Sequence, residues 1–199
     1  MWPWEHLAFG YLFYSLGARA CYRRPPTGAT ALALAVGTQV PDLLDKSLAW
    51  LLGIFEVGYA VGHSALVVSP SLAVAYVLAR RRTPSGGRLV LAYGAGHLSH
   101  LVGDLLYPLL QGEGLALRRV LWPVASPEAG EVRGDVFHRV AGYFVRYLVQ
   151  VLSLDPSPLF LVQVGLVGAV FVLWLADGAP GPLTLWRGAA AFLAGSSGD

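Results

Sequence analysis

The sequence predicts an all-α, multi-pass membrane protein, a bundle of five or six transmembrane helices with a ligand site near one membrane face. Hydrophobic residues make up 55% of the chain and charged residues only 13%, and the mean hydropathy of +0.57 lies far above that of soluble domains. Residues 158–176 carry no charge over a length that can cross a hydrocarbon core of about 30 Å. Ionisable side chains nevertheless recur within the apolar segments, where they are costly and mark functional sites.

Prolines and polar turns divide the chain into its predicted elements. Pro25-Pro26 ends the first helix, and Pro41 is expected to end the second because proline disfavours helical backbone in the residue before it. Residues 83–87 (TPSGG) are expected to form a polar turn before the fourth helix. The predicted apolar segments are residues 4–22, 28–40, 47–55, 61–79, 88–110, 137–153 and 158–176.

These segments are expected to form one membrane-embedded domain over residues 1–199. Residues 4–110 would supply the helices of the ligand site, residues 111–136 an extramembrane loop, and residues 137–195 the C-terminal helices. The loop is predicted from its mixed polar and charged sequence, which contrasts with the apolar segments on either side.

The most informative segment is residues 93–108, where metal-binding side chains lie within an apolar helix. At about 100° per residue, one narrow face carries polar side chains and the opposite side carries aliphatic ones. The polar face contains Tyr93, His97, His100 and Asp104, and the aliphatic side contains Leu91, Leu98, Val102, Leu105 and Leu109. His100 and Asp104 have the i, i+4 spacing that allows two side chains to hold one ion.

Arginines collect at one end of the first four helices, which predicts that this end faces the cytoplasm. They are Arg19, Arg23, Arg24, Arg80, Arg81, Arg82 and Arg88. A rise of about 1.5 Å per residue then brings the candidate ligands to a similar height at the opposite end of the helices. The sequence therefore predicts a site on the extracytoplasmic side of the cell membrane.

Six side chains are the candidate metal ligands: His6, Asp42, Asp45, His63, His100 and Asp104. Their nitrogen and oxygen donors favour zinc, with manganese or iron as alternatives, and the number of donors allows one or two ions. Asp42 and Asp45 are also the candidate catalytic carboxylates. Four further residues are expected to support the ligands or contact substrate, namely His97, Ser64, Arg118 and Arg119.

A metal site of this kind favours hydrolysis, because a bound metal acidifies water and neutralises developing negative charge. Membrane lipid is the expected partner, and a phosphoester such as a phospholipid head group is the expected substrate. A net charge of +2 gives no indication of nucleic-acid binding, and the oligomeric state stays open. Two alternatives remain: a non-catalytic protein whose helices the metal holds together, with a binding or regulatory role, and an ion transporter.

The order of short motifs resembles a known family. His6 with Gly10 is followed by Pro41-Asp42, Gly62-His63-Ser64, Ser99-His100-Leu101-Val102-Gly103-Asp104 and Leu121-Trp122-Pro123. This succession resembles the YdjM-type family of LexA-binding, inner-membrane-associated proteins, described as metal-dependent hydrolases and distantly similar to zinc-dependent phospholipase C and P1 nuclease. The resemblance implies that Asp42 or Asp45, His63, His100 and Asp104 hold one metal and that His6 helps to hold another.

Overall fold

A computed structural model describes residues 1–128, 136–153, 157–182, 184 and 186. Across these residues the regular structure is helical and contains no strand. The helices are α1 (Pro3–Tyr22), α2 (Gly28–Lys46), α3 (Ala65–Arg82), α4 (Pro84–Leu110), α5 (Val136–Leu152) and α6 (Pro158–Ala176). A short π-helix, Ser47–Leu51, extends α2, and a 3₁₀ turn, Leu117–Arg119, follows α4.

Helix α4 is central because it packs against α1, α2 and α3, while α6 packs against α1. The predicted division of its faces is confirmed except at Tyr93 and Leu105, which are both half-buried. His97, His100 and Asp104 are buried, whereas the aliphatic side chains Leu91, Leu98, Val102 and Leu109 are exposed. The exposed stripe is compatible with lipid, and the buried face positions the polar side chains.

Two glycines allow α2 and α4 to touch backbone to backbone. A Cβ atom on Gly37 would lie 2.1 Å from the Tyr93 carbonyl oxygen, and one on Gly96 would lie 2.3 Å from the Leu34 carbonyl oxygen. No side chain larger than hydrogen fits at either position without moving a helix. Small residues serve this purpose in membrane helix pairs, where close packing replaces the hydrophobic effect as the source of association.

The predicted end of the second helix at Pro41 is wrong. Helix α2 continues through Pro41 to Lys46, so that Asp42 and Asp45 lie on its last turn. Proline in a helix interior removes a backbone hydrogen bond and bends the helix without necessarily ending it. One turn before this proline, the Thr38 carbonyl oxygen receives a hydrogen bond from the His100 ring, with 2.7 Å between oxygen and Nδ1.

The predicted boundary between the third and fourth helices is also wrong. Residues 84–87 belong to α4, which begins at Pro84 with Thr83 as its N-cap, and the Gly86 amide donates to the Thr83 hydroxyl over 3.0 Å. A capping threonine followed by proline at the first helical position is a helix start signal. Similarly, α3 begins at Ala65, after His63, because Ser64 caps it.

Two of the described helices, α4 and α6, are long and apolar enough to cross a membrane. The predicted count of five or six spans is not supported, because α1, α2 and α3 have the length but include too many polar residues. Helix α5 has 17 residues and opposed polar and apolar faces, unlike a uniformly apolar span.

The structure describes only some residues of the predicted loop and of the predicted C-terminal helices. Residues 129–135 of the predicted loop, and most of the predicted helical region after residue 182, lie outside the described residues. The described part of the loop packs against the start of α3, where the Ala65 amide donates to the Val120 carbonyl oxygen over 2.9 Å. The division of residues 1–199 into these three parts stays a prediction.

Candidate metal centre

Four predicted ligands converge at one end of the helix bundle. Asp42 comes from the last turn of α2, His63 from the turn before α3, and His100 and Asp104 from successive turns of α4. One donor atom from each residue lies within 4.8 Å of a donor atom of every other. The exposed fractions of His63, His100 and Asp104 are 2% or less. Four ionisable groups are therefore gathered in a site almost closed to water.

The distances between the donor atoms fit a single small cation. His63 Nε2 lies 3.4 Å from Asp42 Oδ1 and 3.6 Å from Asp104 Oδ2. His100 Nε2 lies 3.6 Å from Asp42 Oδ1 and 3.7 Å from Asp104 Oδ2. Tetrahedral zinc, with bonds of about 2.0–2.2 Å, separates its ligand atoms by about 3.3–3.6 Å. These four separations are close to the tetrahedral ones, and all four donor atoms lie within 4.8 Å of one another, so that the group could hold a divalent cation.

Hydrogen bonds on the far side of both rings direct their Nε2 atoms into the centre. His63 Nδ1 donates to Asp45 Oδ2 over 2.8 Å, and His100 Nδ1 donates to the Thr38 carbonyl oxygen over 2.7 Å. When both rings are neutral, each Nε2 then presents a lone pair, and the two Nε2 atoms are 3.2 Å apart. A cation between them satisfies both lone pairs. Carboxylate and carbonyl partners of this kind fix the orientation of metal-binding histidines.

Asp42 is the most accessible of the four residues, with a side chain that is 16% exposed. Its Oδ2 pairs with Lys46 Nζ at 2.5 Å, one helical turn later. Its Oδ1 is buried, faces both histidines and has no hydrogen-bond partner among the described residues. An orphaned carboxylate oxygen between two imidazole nitrogens is the arrangement expected of a metal ligand.

Asp45 lies behind His63, a position that differs from the predicted place among the ligands. Its Oδ1 accepts the Gly62 amide at 2.9 Å. Its Oδ2 accepts the amides of Ala60 and His63, at 2.7 and 2.9 Å, in addition to the His63 ring. Both oxygens are therefore engaged within a fully buried carboxylate, which holds His63 and the turn around it in place.

His6 reaches the centre from α1. Its Nε2 is 3.3 Å from Asp104 Oδ1, and its ring stacks on His100 with 3.6 Å between centroids. The Met1 amino nitrogen is 3.6 Å from the same Asp104 oxygen. Asp104 thus directs Oδ2 to the four-residue centre and Oδ1 to His6, which is the arrangement of a bridging carboxylate. His6 Nδ1 is buried without a hydrogen-bond partner among the described residues.

Comparison with protein-family models gives a match over residues 1–179 to the model described as YdjM inner membrane protein. The chain belongs to the YdjM family. No match was found among curated proteins, and none was found among solved structures. Family membership and the two apolar helices α4 and α6 place this YdjM protein in a membrane. The resemblance inferred from the motif order is confirmed over most of the chain.

The remaining predicted residues of the YdjM protein occupy different positions around the centre. His97 is buried and its Nε2 is 2.7 Å from the Gly62 carbonyl oxygen, so that it supports the turn that carries His63. The Ser64 hydroxyl donates to the Trp122 carbonyl oxygen and caps α3. Both residues therefore hold the surroundings of His63.

The two predicted arginines, Arg118 and Arg119, have different partners. The Arg119 Nη1 donates to the Asp104 carbonyl oxygen over 3.3 Å, and its guanidinium lies 5.2 Å from the centroid of the Tyr59 ring. Arg118 points instead to Glu128, with 3.9 Å between Nη1 and Oε1. Tyr59, which the sequence analysis missed, also packs against His63 with 4.7 Å between ring centroids. Its position between His63 and Arg119 depends on tertiary packing and has no signal in the sequence.

The centre of the YdjM protein stabilises positive charge. Burial lowers the pKa of His63, but its contacts with Asp104, Asp42 and Asp45 outweigh burial and raise this pKa to about 10. In the absence of metal, a proton on this ring balances part of the charge of the carboxylates. A divalent cation that replaces the proton compensates more of that charge and also satisfies the two Nε2 lone pairs.

Proposed function

We propose that this YdjM protein is a membrane-bound, metal-dependent hydrolase of phosphoesters such as phospholipid head groups. The observation that carries the proposal is the centre formed by Asp42, His63, His100 and Asp104, in which the separations between histidine nitrogens and carboxylate oxygens are 3.4–3.7 Å, close to those around tetrahedral zinc. Manganese or iron accepts the same donors. Such a metal supplies a nucleophilic water at neutral pH and offsets negative charge on the phosphoryl group.

The surrounding residues have distinct roles in this proposal. His63, His100 and Asp104 hold the ion, and Asp45 positions His63 from behind. Asp42 would hold the ion through Oδ1 and, as the most exposed of the four residues, is the candidate catalytic carboxylate that would accept a proton from the attacking water. His6 and Asp104 offer donors toward a second ion. We also propose that the protein is distantly similar to zinc-dependent phospholipase C.

A lipid substrate is favoured by exposed aliphatic side chains that follow Asp42 in the chain. We call these the apolar rim; its members are Leu43, Leu51, Leu52 and Ile54, which are 67%, 68%, 66% and 59% exposed. Leu43 is next to Asp42 on the last turn of α2, and the other three residues follow at the end of the π-helix and just after it. Exposed side chains of this kind can contact acyl chains. Arg119, beside Asp104, is placed to hold a phosphate through its planar guanidinium.

A multi-pass arrangement with an extracytoplasmic centre is also part of the proposal. Exposed apolar side chains continue along the helices that pack on α4, which supports their contact with lipid; examples are Phe13, Leu16, Val36, Val74 and Leu78. The arginines at the opposite end of these helices favour the cytoplasm for that end. Cysteine accessibility at the two ends of α4 in intact cells would test the orientation.

The enzyme proposal is tested by turnover of the purified protein with zinc or manganese. Mixed phospholipid vesicles and a soluble phosphodiester serve as substrates, and Asp104→Ala is compared with Glu113→Gln, a carboxylate change at an exposed position just after α4. We expect turnover to be lost in Asp104→Ala and retained in Glu113→Gln. Equal turnover in wild type and Asp104→Ala would falsify the proposal.

The completeness of the donor set favours a second candidate function. Four protein ligands fill the coordination of tetrahedral zinc, as in structural sites, whereas catalytic sites keep one position for water. In this alternative the metal joins α2, α4 and the turn before α3, and the protein has a binding or regulatory role. Tight metal binding without an exchangeable water, together with no turnover on any phosphoester, would favour this alternative.

A further inference from the structure

A second polar site lies at the end of the bundle opposite the metal centre. A cavity of about 280 Å³ is formed where the end of α1 meets the beginnings of α2 and α4. Arg88 in this cavity is sixteen residues before Asp104 on α4, which corresponds to about 24 Å along a helix. The two sites are therefore separate.

The cavity lining has the chemistry of an anion site. Two arginines, Arg24 and Arg88, contribute to it together with the hydroxyl-bearing side chains of Tyr14, Tyr22, Thr27, Thr30 and Ser85. No carboxylate occurs among the described residues of the lining. Neither arginine makes an ion pair within the described part of the chain. The positive charge of the lining is thus not neutralised by the protein around it.

The helix geometry adds to this charge. Ala29 in the first turn of α2 and Ser85 in the first turn of α4 both line the cavity, so that two helix N-termini converge on it. The first amides of a helix have no partner within the helix and carry partial positive charge. The hydroxyls of Thr27, Thr30 and Ser85 are bonded within these two helix starts, where they help to fix the first turns. The two arginines and the two helix starts together suit a phosphate group, which accepts many hydrogen bonds.

The position of the cavity at one end of α4 and the apolar residues of its lining indicate that the phosphate belongs to a lipid. Leu89 and Leu91 line the cavity and are 37% and 44% exposed on α4, one of the two apolar helices that can cross the membrane. The cavity therefore opens beside the lipid-compatible surface of α4 at one of its ends. Its volume is too small for a large ligand and suits a head group whose acyl chains stay outside.

We propose that this cavity binds the phosphate-containing head group of an anionic phospholipid, with Arg24 and Arg88 as its cationic ligands. The lipid is distinct from the substrate proposed for the metal centre, since it is held at the other end of α4. Its expected effect is to fix the ends of α1, α2 and α4 relative to one another. Neither the site nor its test depends on hydrolase activity.

The proposal is tested by native mass spectrometry of the purified full chain with phosphatidylglycerol or phosphatidylcholine. The first variant, Arg24→Gln with Arg88→Gln, removes the two arginines of the cavity. The second is the matched control, Arg81→Gln with Arg82→Gln, which removes two arginines at the same end outside the cavity. The third, Ala29→Phe, fills the cavity without changing its charge. We expect at least about a tenfold loss of phosphatidylglycerol affinity in the first and third variants, and wild-type affinity in the control. Metal binding by all three should match wild type.

Three results would overturn the proposal. An equal loss in the Arg81 and Arg82 control would mean diffuse attraction to the basic end of the protein. Retention of phosphatidylglycerol in both cavity variants would mean that the lipid binds elsewhere. Displacement of phosphatidylglycerol by excess inorganic phosphate in the wild type would assign the cavity to a soluble phosphate compound and not to a lipid.

Discussion

The Nε2 atoms of His63 and His100 lie 3.2 Å apart although the two residues come from different segments and are separated by 37 positions in the chain. Each ring is held from behind, His63 by Asp45 and His100 by the Thr38 carbonyl oxygen. Neither ring can turn away without losing a buried hydrogen bond. This fixed pair is the structural basis for the predictions about metal that follow.

Replacing Asp45 by asparagine is expected to weaken metal binding by about 10–100-fold without changing the number of ions bound. The reason is that Asp45 orients the His63 ring and contributes no free oxygen to the centre. Titration calorimetry with elemental analysis measures both quantities. His63→Ala should lose the ion entirely, and His138→Ala on α5 should bind like wild type. Loss of the ion in Asp45→Asn would show that Asp45 is itself a ligand.

Removing the metal is expected to destabilise the protein. A ligand at about 100 times its dissociation constant contributes about 2.7 kcal/mol to the free energy of unfolding, since it binds only the folded state. The midpoint of thermal unfolding in detergent should therefore fall with a chelator and recover with zinc. His100→Ala should show no response to either addition. A chelator response of wild-type size in His100→Ala would place the stabilising ion elsewhere.

Gly37→Ala is expected to destabilise the fold by about 1–3 kcal/mol, the usual range for overpacking. The added methyl would lie 2.1 Å from the Tyr93 carbonyl oxygen and would force α2 away from α4. Thermal unfolding measures the loss, and metal affinity should fall in parallel because Asp42 moves with α2. Gly165→Ala on α6 is the matched control, since nothing lies within 4 Å of its Cβ position. Unchanged stability in Gly37→Ala would contradict the close helix contact.

Asp177→Ala is expected to loosen α6 from α1. Asp177 Oδ2 accepts the hydroxyls of Tyr11 and Ser15, at 2.8 and 2.6 Å, and Oδ1 pairs with Arg19. Leaving buried donors without an acceptor costs about 1–3 kcal/mol. A lowered midpoint of thermal unfolding is therefore expected, while Glu113→Gln should leave the midpoint unchanged.

The contribution of Asp177 should also depend on pH. Burial raises the pKa of Asp177, but hydrogen bonds from Ser15, Tyr11 and Arg19 outweigh it, so that the folded-state pKa lies below the ordinary value. Such a carboxylate stabilises the fold above its unfolded-state pKa, and the contribution disappears as the pH falls through the folded-state pKa. The difference between wild type and Asp177→Ala should be constant near neutral pH and shrink in acid. A difference that grows in acid would contradict this assignment.

Much of the metal centre could be predicted because its residues lie in recognisable local patterns. His100 and Asp104 share one face of a regular helix, and Asp42 and His63 were found from their unusual chemistry within apolar segments. The position of Asp45 could not be predicted, because three backbone amides of the turn at residues 60–63 determine it. Those amides are directed at Asp45 only in the folded chain.

The errors in the fold also have physical causes. The local preference of Pro41 predicts the end of a helix, but α2 continues through it while packed against α4. Spans were counted by length and overall hydropathy, which did not separate α4 and α6 from the more polar helices around the metal centre. Local sequence patterns predict the polar residues of the metal centre more reliably than they predict where the helices that carry these residues begin and end.

The contact at Gly37 and Gly96 has a further consequence for ion selection. Since the main chains of the two helices touch there, the helices that carry Asp42 and His100 are held at a close, fixed separation. The donor atoms are therefore positioned before any ion binds, and an ion too large for their spacing would have to push the two helices apart.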